Sequence, residues 1–370
     1  MQRVVFITGH YWNSKRKAGF HWIADAFLQQ EWEVLFITTS FSLLSIPRFD
    51  HRLRYSLWKE INQIKQEEKH LWSYVAFTSV HPANLRLEIL NRFFDPIFQN
   101  YSEQVNLVPC EDWLRQADLF VFESTAGLML VDRVKLLNAK ACWVYRVSDD
   151  LRFMHSHPAL LAAESRHTGD FDIISVPSPS IYSIFQDKTD SLSLDYHALR
   201  KDLFDQPSDT PYLGAGPHVV FSGIAYFDSS FLDIASRELP EWQFHIIGPI
   251  RNLPKRQNVI AYGEMPFVET IRYLQHADVG LQPLIYRPGS ESFTHSLKIM
   301  QYTYCKLPIV APHYIPATWA HWFSYISDNP RSIVQALEKA ASYPRSKIDA
   351  SAILSWTELT ARWCRTLNLN

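Results

Sequence analysis

Short apolar runs that alternate with helical stretches, twice over in one chain, constrain this sequence more than any other feature. In the first block, Val4 to Thr8 is apolar and precedes a helical pattern at Phe20, Ile23, Phe27 and Leu28; Val34 to Thr38 supplies the next strand. DLFVFES (118–124), ACWVYR (141–146) and DIISVPS (172–178) follow, each bounded by polar residues, with Leu128 to Leu137 helical between the first two. Strands that are apolar throughout are buried on both faces, which predicts parallel sheets covered by helices. The stretch DQPSDTPYLGAGP (205–217), with three prolines and two glycines, interrupts the pattern. It then restarts: VVFSGI, a helix from Phe231 to Arg237, WQFHIIG, NVIAYG, a helix from Phe267 to His276, VGLQPL, a helix from Ser296 to Tyr304, and PIVAP.

This order predicts an α/β protein of two doubly wound Rossmann-like domains facing a central cleft, the GT-B architecture. Residues 1–206 form the expected first domain, 207–217 the linker and 218–349 the second, with an amphipathic tail helix, within about 350–370, returning to the first. The length of 370 residues and 47% hydrophobic content suit two buried cores and exclude a disordered or coiled-coil chain. Only 11 residues are glycine. No GxGxxG follows Val4 to Thr8, where Gly9 is the sole glycine, and no GxxxxGK[ST] occurs, which argues against an NAD enzyme or a P-loop NTPase. A net charge of −2 provides no field for nucleic acid. The four cysteines, Cys110, Cys142, Cys305 and Cys364, are widely spaced and read as reduced thiols of a cytosolic protein. The 15 histidines show no metal-ligand spacing, so no metal is expected. The N-terminus reads as a first strand rather than a signal peptide, and no window approaches the ~18 apolar residues of a membrane span, so the expected protein is soluble or peripheral.

In open α/β sheets ligands bind beyond the carboxyl ends of strands, so the residues there are the candidates. ACWVYR runs into Ser148-Asp149-Asp150. A carboxylate at that point suits a general base, if partial burial raises its pKa, and equally suits the N-cap of the following helix. Glu264, in Tyr262-Gly263-Glu264-Met265, suits ribose hydroxyls or a first-turn acid. Ser296-Leu297-Lys298 opens a helix, with Gln301 on the face of Lys298; a lysine at a helix N-terminus suits a diphosphate, and an ordinary capped surface helix fits as well. Asp170-Phe171-Asp172 has the DxD form of a metal-bound nucleotide-sugar site, but it precedes a strand and reads as a loop cap. Lys15-Arg16-Lys17, flanked by His10 and His21, reads either as a cationic rim on the acceptor side or as a solvated loop. Leu43 to Trp58 mixes apolar residues with Arg48, Arg52 and Arg54 and reads as a membrane-docking stretch or a packed helix.

Taken in order, VFES (121–124), VYRVSDDL (144–151), FDSSF (227–231), FHIIG (244–248), NVIAYGEM (258–265) and SLKIMQY (296–302) resemble the inverting β-glucuronosyltransferase of xanthan assembly and its relatives, from about Val4 to Pro312. The resemblance implies a GT-B enzyme that moves glucuronic acid from UDP-glucuronate to a polyprenyl-diphosphate-linked oligosaccharide, without a cofactor or metal, at the cytosolic face of the inner membrane. It assigns Asp149 as the base, Glu264 and Met265 to ribose and uracil, and Ser296, Leu297, Lys298 and Gln301 to nucleotide and diphosphate. Tyr286 falls beside the donor, in a loop (284–295) one residue shorter than the family's. His197-Ala198-Leu199-Arg200 replaces a family pattern close to HGVD, and Ala225 replaces a methionine. A transferase of another nucleotide sugar and a non-catalytic nucleotide-sugar-binding protein are the alternatives.

Overall fold

A computed structural model describes residues 1–14, 17–46, 59–223 and 226–369, with the backbone alone for 291–293. The chain divides into two compact units: Met1–Asp195 with Trp356–Asn370, and Tyr196–Ser355.

The first unit is built on eight strands: β1 (Arg3–Thr8), β2 (Glu33–Ser42), β3 (Ile64–Glu68), β4 (Leu71–Thr78), β5 (Leu119–Glu123), β6 (Cys142–Arg146), β7 (Ile173–Val176) and β8 (Leu192–Leu194). Their order is β3-β4-β2-β1-β5-β6-β7-β8, parallel except for β3, which pairs antiparallel with β4. The interior strands are sealed: Val4 to Ile7 and Leu119 to Phe122 expose nothing. β3 was not legible as a strand, because its IKQEE sequence is that of a charged edge. Lys65 there reaches Glu60 and Glu67, at 2.8 and 3.2 Å.

The second unit holds β9 (His218–Ser222), β10 (Gln243–Ile247), β11 (Val259–Gly263), β12 (Val279–Leu281), β13 (Ile309–Pro312) and β14 (Trp322–Tyr325). All are parallel, in the order β11-β10-β9-β12-β13-β14. Gly248, just past β10, has φ +132, and a Cβ there would lie 1.9 Å from the carbonyl oxygen of Gly223. Only glycine lets those two backbone turns meet.

The division falls at Asp195/Tyr196 rather than across 207–217. Residues 196–206 belong to the second unit: Leu199 bridges to Ser355, Phe204 enters that unit's core, and Gln275 Nε2 donates to the Phe204 carbonyl at 2.8 Å. The proline-rich stretch is itself packed there, since Tyr212 is buried and its hydroxyl donates to Tyr273 O at 2.6 Å. Prolines and glycines mark a break in regular structure, not a break between cores.

The chain returns to the first unit as the helix Trp356–Thr366. It lies against the helix Gly19–Gln29, with Gln30 Nε2 donating to Thr360 Oγ1 at 2.8 Å. Its second anchor is Asp195, 1% exposed. That carboxylate accepts from Ser175 Oγ at 2.5 Å, Ser193 Oγ at 2.9 Å, Trp363 Nε1 at 2.9 Å and the Arg362 guanidinium. Arg146, also buried, donates to the Asp195 carbonyl at 2.7 Å, and burial pulls its pKa down to about 9. Asp195→Ala should leave Arg362, Trp363 Nε1 and Ser175 Oγ without their acceptor and cost about 3–5 kcal/mol. The loss would appear as a lower urea midpoint and faster amide exchange across 356–366.

Candidate active site

In the first unit, three neighbouring strand ends collect polar groups. Glu123 closes β5 and is 3% exposed. Its Oε2 accepts from Thr8 Oγ1 and from Gly9 N at 3.1 Å, and its Oε1 lies 3.1 Å from His10 Nε2. Burial pushes this carboxyl up, but the His10 charge and the hydrogen bonds from His10, Thr8 and Gly9 outweigh it and hold the pKa down to about 2. The next residue, Ser124, accepts from the backbone N–H groups of Ser148 and Asp149, each at 3.2 Å, which fixes the turn after β6.

That turn carries two carboxylates in different situations. Asp150 accepts from the Arg152 backbone at 3.0 Å and from its guanidinium at 2.8 Å, and Arg152 also binds Glu164 at 2.8 Å. This is the capping role open to the SDD sequence. Asp149 has no hydrogen bond or ion pair to its carboxylate among the described residues. It keeps an exposed face yet is closely surrounded, so burial raises its pKa above the usual carboxylate range, Glu123 adds to the rise and His10 opposes it. An accessible, unpaired carboxylate with raised basicity can take a proton from a bound hydroxyl.

His21 does not reach the acceptor rim: it is fully buried. Its Nδ1 accepts from Ala18 N at 3.0 Å and its Nε2 faces Tyr11 O at 2.9 Å; burial lowers its pKa to about 4, so it caps its helix as a neutral ring. Lys17 is exposed, with Nζ donating to Trp12 O at 2.8 Å and sitting 4.3 Å from the Trp12 ring centroid. Arg16, Ala225 and most of 43–58 lie outside the described residues. The DxD aspartates are structural: Asp170 is bound by Lys135 at 2.5 Å and His167 at 2.8 Å, and Asp172 accepts from Trp143 N at 2.8 Å.

In the second unit, the helix Leu297–Tyr304 begins at Ser296, whose side chain does not cap it and whose buried Oγ has no hydrogen-bond partner among the described residues. Lys298 is partly buried, with Nζ 4.1 Å from the Phe221 ring centroid. A Cβ on Gly223 would lie 3.1 Å from that Nζ, so glycine leaves room beside the ammonium. Burial lowers the Lys298 pKa to about 7. Helix amides without a side-chain cap, a hydroxyl and an amine are groups that can receive an anion. Leu297 packs on the core, as does Met265, and Gln301 is buried on the same helix. Glu264 is exposed just after β11, where Gly263 turns with φ +69. Tyr286 is exposed, its ring 5.2 Å from that of Tyr314. Arg200, in the segment replacing HGVD, pairs with Asp202 at 2.8 and 2.6 Å. Among the described residues no group of three or more His, Cys, Asp or Glu gathers as a metal site, and no helix is long and apolar enough to cross a membrane.

Sequence reasoning missed Glu123, Thr8, Ser124 and Gly223. The available signal was an acid closing the otherwise apolar strand LFVFE.

Residues 6–177 match the family model described as Glucuronosyltransferase GumK, N-terminal domain. The UDP-glucuronate:glycolipid 2-beta-glucuronosyltransferase of Xanthomonas campestris pv. campestris is 29% identical over 369 residues, covering 96% of this chain and 88% of that protein. Among solved structures, Anabaena Alr3699/HepE in complex with UDP-glucose aligns over all of both chains with a TM-score of 0.63 at 12% identity. CalG4, the calicheamicin glycosyltransferase, aligns over 99% of this chain and 98% of its own with a TM-score of 0.54 at 13% identity. These distant likenesses show the GT-B fold.

Lys298 has a pKa near 7 in the fold against 10.5 for an ordinary lysine. Between those values the unfolded chain holds a proton that the folded chain has released, so the cost of burying Lys298 diminishes as pH rises. Lys298→Met should therefore melt above the wild type at pH 7 and below, and this advantage should shrink toward pH 10 in ligand-free thermal melts.

Proposed function

We propose that this chain, whose residues 6–177 match the GumK-type glucuronosyltransferase N-terminal domain and whose fold is GT-B, is a glycosyltransferase that moves glucuronic acid from UDP-glucuronate to a lipid-linked oligosaccharide, with inversion and without a metal. The observation that carries this reading is the likeness, over 96% of the chain, to a UDP-glucuronate:glycolipid transferase.

Asp149 takes the proton of the acceptor hydroxyl. The O–H electron pair goes into the new bond to the anomeric carbon, and the bond from that carbon to the phosphate oxygen breaks with its pair leaving on UDP. In-line displacement inverts the centre. Lys298 and the amides opening the helix Leu297–Tyr304 meet the charge growing on the diphosphate, as oriented donors do in a site that excludes water. Ser296 supplies a further donor. Glu264 accepts from the ribose hydroxyls, Met265 packs against the uracil, and Gln301 and Tyr286 line the donor. Among the described residues no protein anion offsets Lys298, the arrangement expected where the ligand brings the negative charge.

The acceptor's lipid carrier places the reaction at the inner membrane's cytosolic surface. The helix Glu88–Gln99 offers a face for it: Leu87, Ile89, Leu90, Phe93 and Ile97 are all exposed along it, an expensive display in water.

Calorimetric titration with UDP, UDP-glucuronate and UDP-glucose, with EDTA throughout, tests the donor. UDP-glucuronate should bind most tightly. Better binding of UDP-glucose would move the donor to another sugar, and no UDP binding would remove the nucleotide assignment. The wild type should co-float with anionic phospholipid vesicles, and the double variant Ile89→Ser, Phe93→Ser should largely remain in the soluble fraction; equal flotation of the two would dismiss that face.

A further inference from the structure

His10 after β1, Glu123 at the end of β5 and Asp149 after β6 lie on three adjacent strands of one sheet. Only Asp149 has a part in the transfer described above. Glu123 is a buried ionised carboxylate, a state that is costly unless hydrogen bonds compensate it. An apolar residue would close β5 at no such cost. Instead, Thr8 Oγ1, Gly9 N and His10 Nε2 all converge on it, and Ser124 beside it holds the backbone of Ser148 and Asp149 at 3.2 Å. One strand end thus grips both the turn carrying His10 and the turn carrying Asp149.

Among the described residues, Lys17 is on the Trp12 carbonyl, His21 is a neutral helix cap, and Asp150 and Glu164 both bind Arg152. Among the described residues the charges acting on Asp149 are Glu123, which raises its pKa, and more weakly His10, which lowers it.

We propose that Glu123 is a positioning residue for proton removal from the acceptor, holding the His10 ring and, through Ser124, the Asp149 turn in one fixed arrangement at these strand ends. This rests on Asp149 being the base. As an ionised acceptor, Glu123 receives the Nε2–H of His10 and so fixes the orientation of the imidazole. Burial is the first cause of the raised basicity of Asp149; the Glu123 anion adds to it and His10 opposes it.

The two partners predict shifts of opposite sign. With carboxyl-¹³C aspartate incorporated, the Asp149 resonance should titrate at lower pH in Glu123→Gln than in the wild type, because the larger, pKa-raising charge is gone. In His10→Gln it should titrate at higher pH. The acidic limb of the pH profile of kcat/KM for transfer should move in the same two directions, with kcat for Glu123→Gln reduced about tenfold and UDP affinity unchanged. Glu123→Asp should recover part of the rate. Should Glu123→Gln fail to fold, His10→Gln and Glu123→Asp carry the test. Titrations that stay at the wild-type pH, or that shift the same way in both variants, overturn the proposal. Asp149→Asn separates the two levels: if it abolishes transfer while the opposite shifts fail to appear, the base stands and the role of Glu123 falls. If it retains transfer, the base assignment itself has failed, whatever the titrations show.

Discussion

A parallel sheet covered on both faces leaves its interior strands no solvent to face, so any group that must meet a substrate is confined to the strand ends. That constraint organises both units. In the first, β1, β5 and β6 are buried apart from the opening residues Arg3 and Cys142, and lead to His10, Glu123 and the Asp149 turn. In the second, β9 and β11 end in Gly223 and in the Gly263–Glu264 turn. The close approach of Gly223 to Gly248 brings the ends of β9 and β10 together, and Gly223 also leaves the space that Lys298 enters.

Within that frame the protein treats buried charge in three ways. Asp195 is surrounded by donors from β7, β8 and the returning helix, and serves only to join them. Glu123 is equally buried, but its donors belong to the end of β1 and the loop after it, so its charge is kept where it acts on Asp149. Lys298 has no such compensation among the described residues, and its depressed pKa records the cost. A fold can bury an ion with dedicated partners at little net change, and the uncompensated lysine is what the proposed diphosphate contact draws on.

Much of the fold was legible because apolar strands and their spacing report burial directly. The helix Phe267–His276 and the strands from β9 to β13 fall within a residue or two of their expected places, apart from the early end of β12. β3 was hidden because a charged edge strand has no apolar run, and the helix Glu88–Gln99 because its apolar residues face outward. The proline-rich stretch 205–217 looked like a linker and is packed on the second unit through Tyr212. Asp149 and Asp150 could not be told apart along the chain: both follow the same strand, and only the position of Arg152 and Glu164 shows which one is paired. His21 looked available and is enclosed, since its exposure depends on Phe36 and Trp12, which are distant or turned onto it.

The order of apolar runs by itself determined two parallel sheets, their helical cover and the strand ends at which polar residues would emerge, because burial along a strand is a local property of composition. Which carboxylate is paired, which histidine is enclosed and where one unit gives way to the other were decided by tertiary structure alone. Those outcomes depend on groups such as Glu123 and Thr8, separated by 115 positions and brought within hydrogen-bonding distance only by the parallel pairing of β1 with β5.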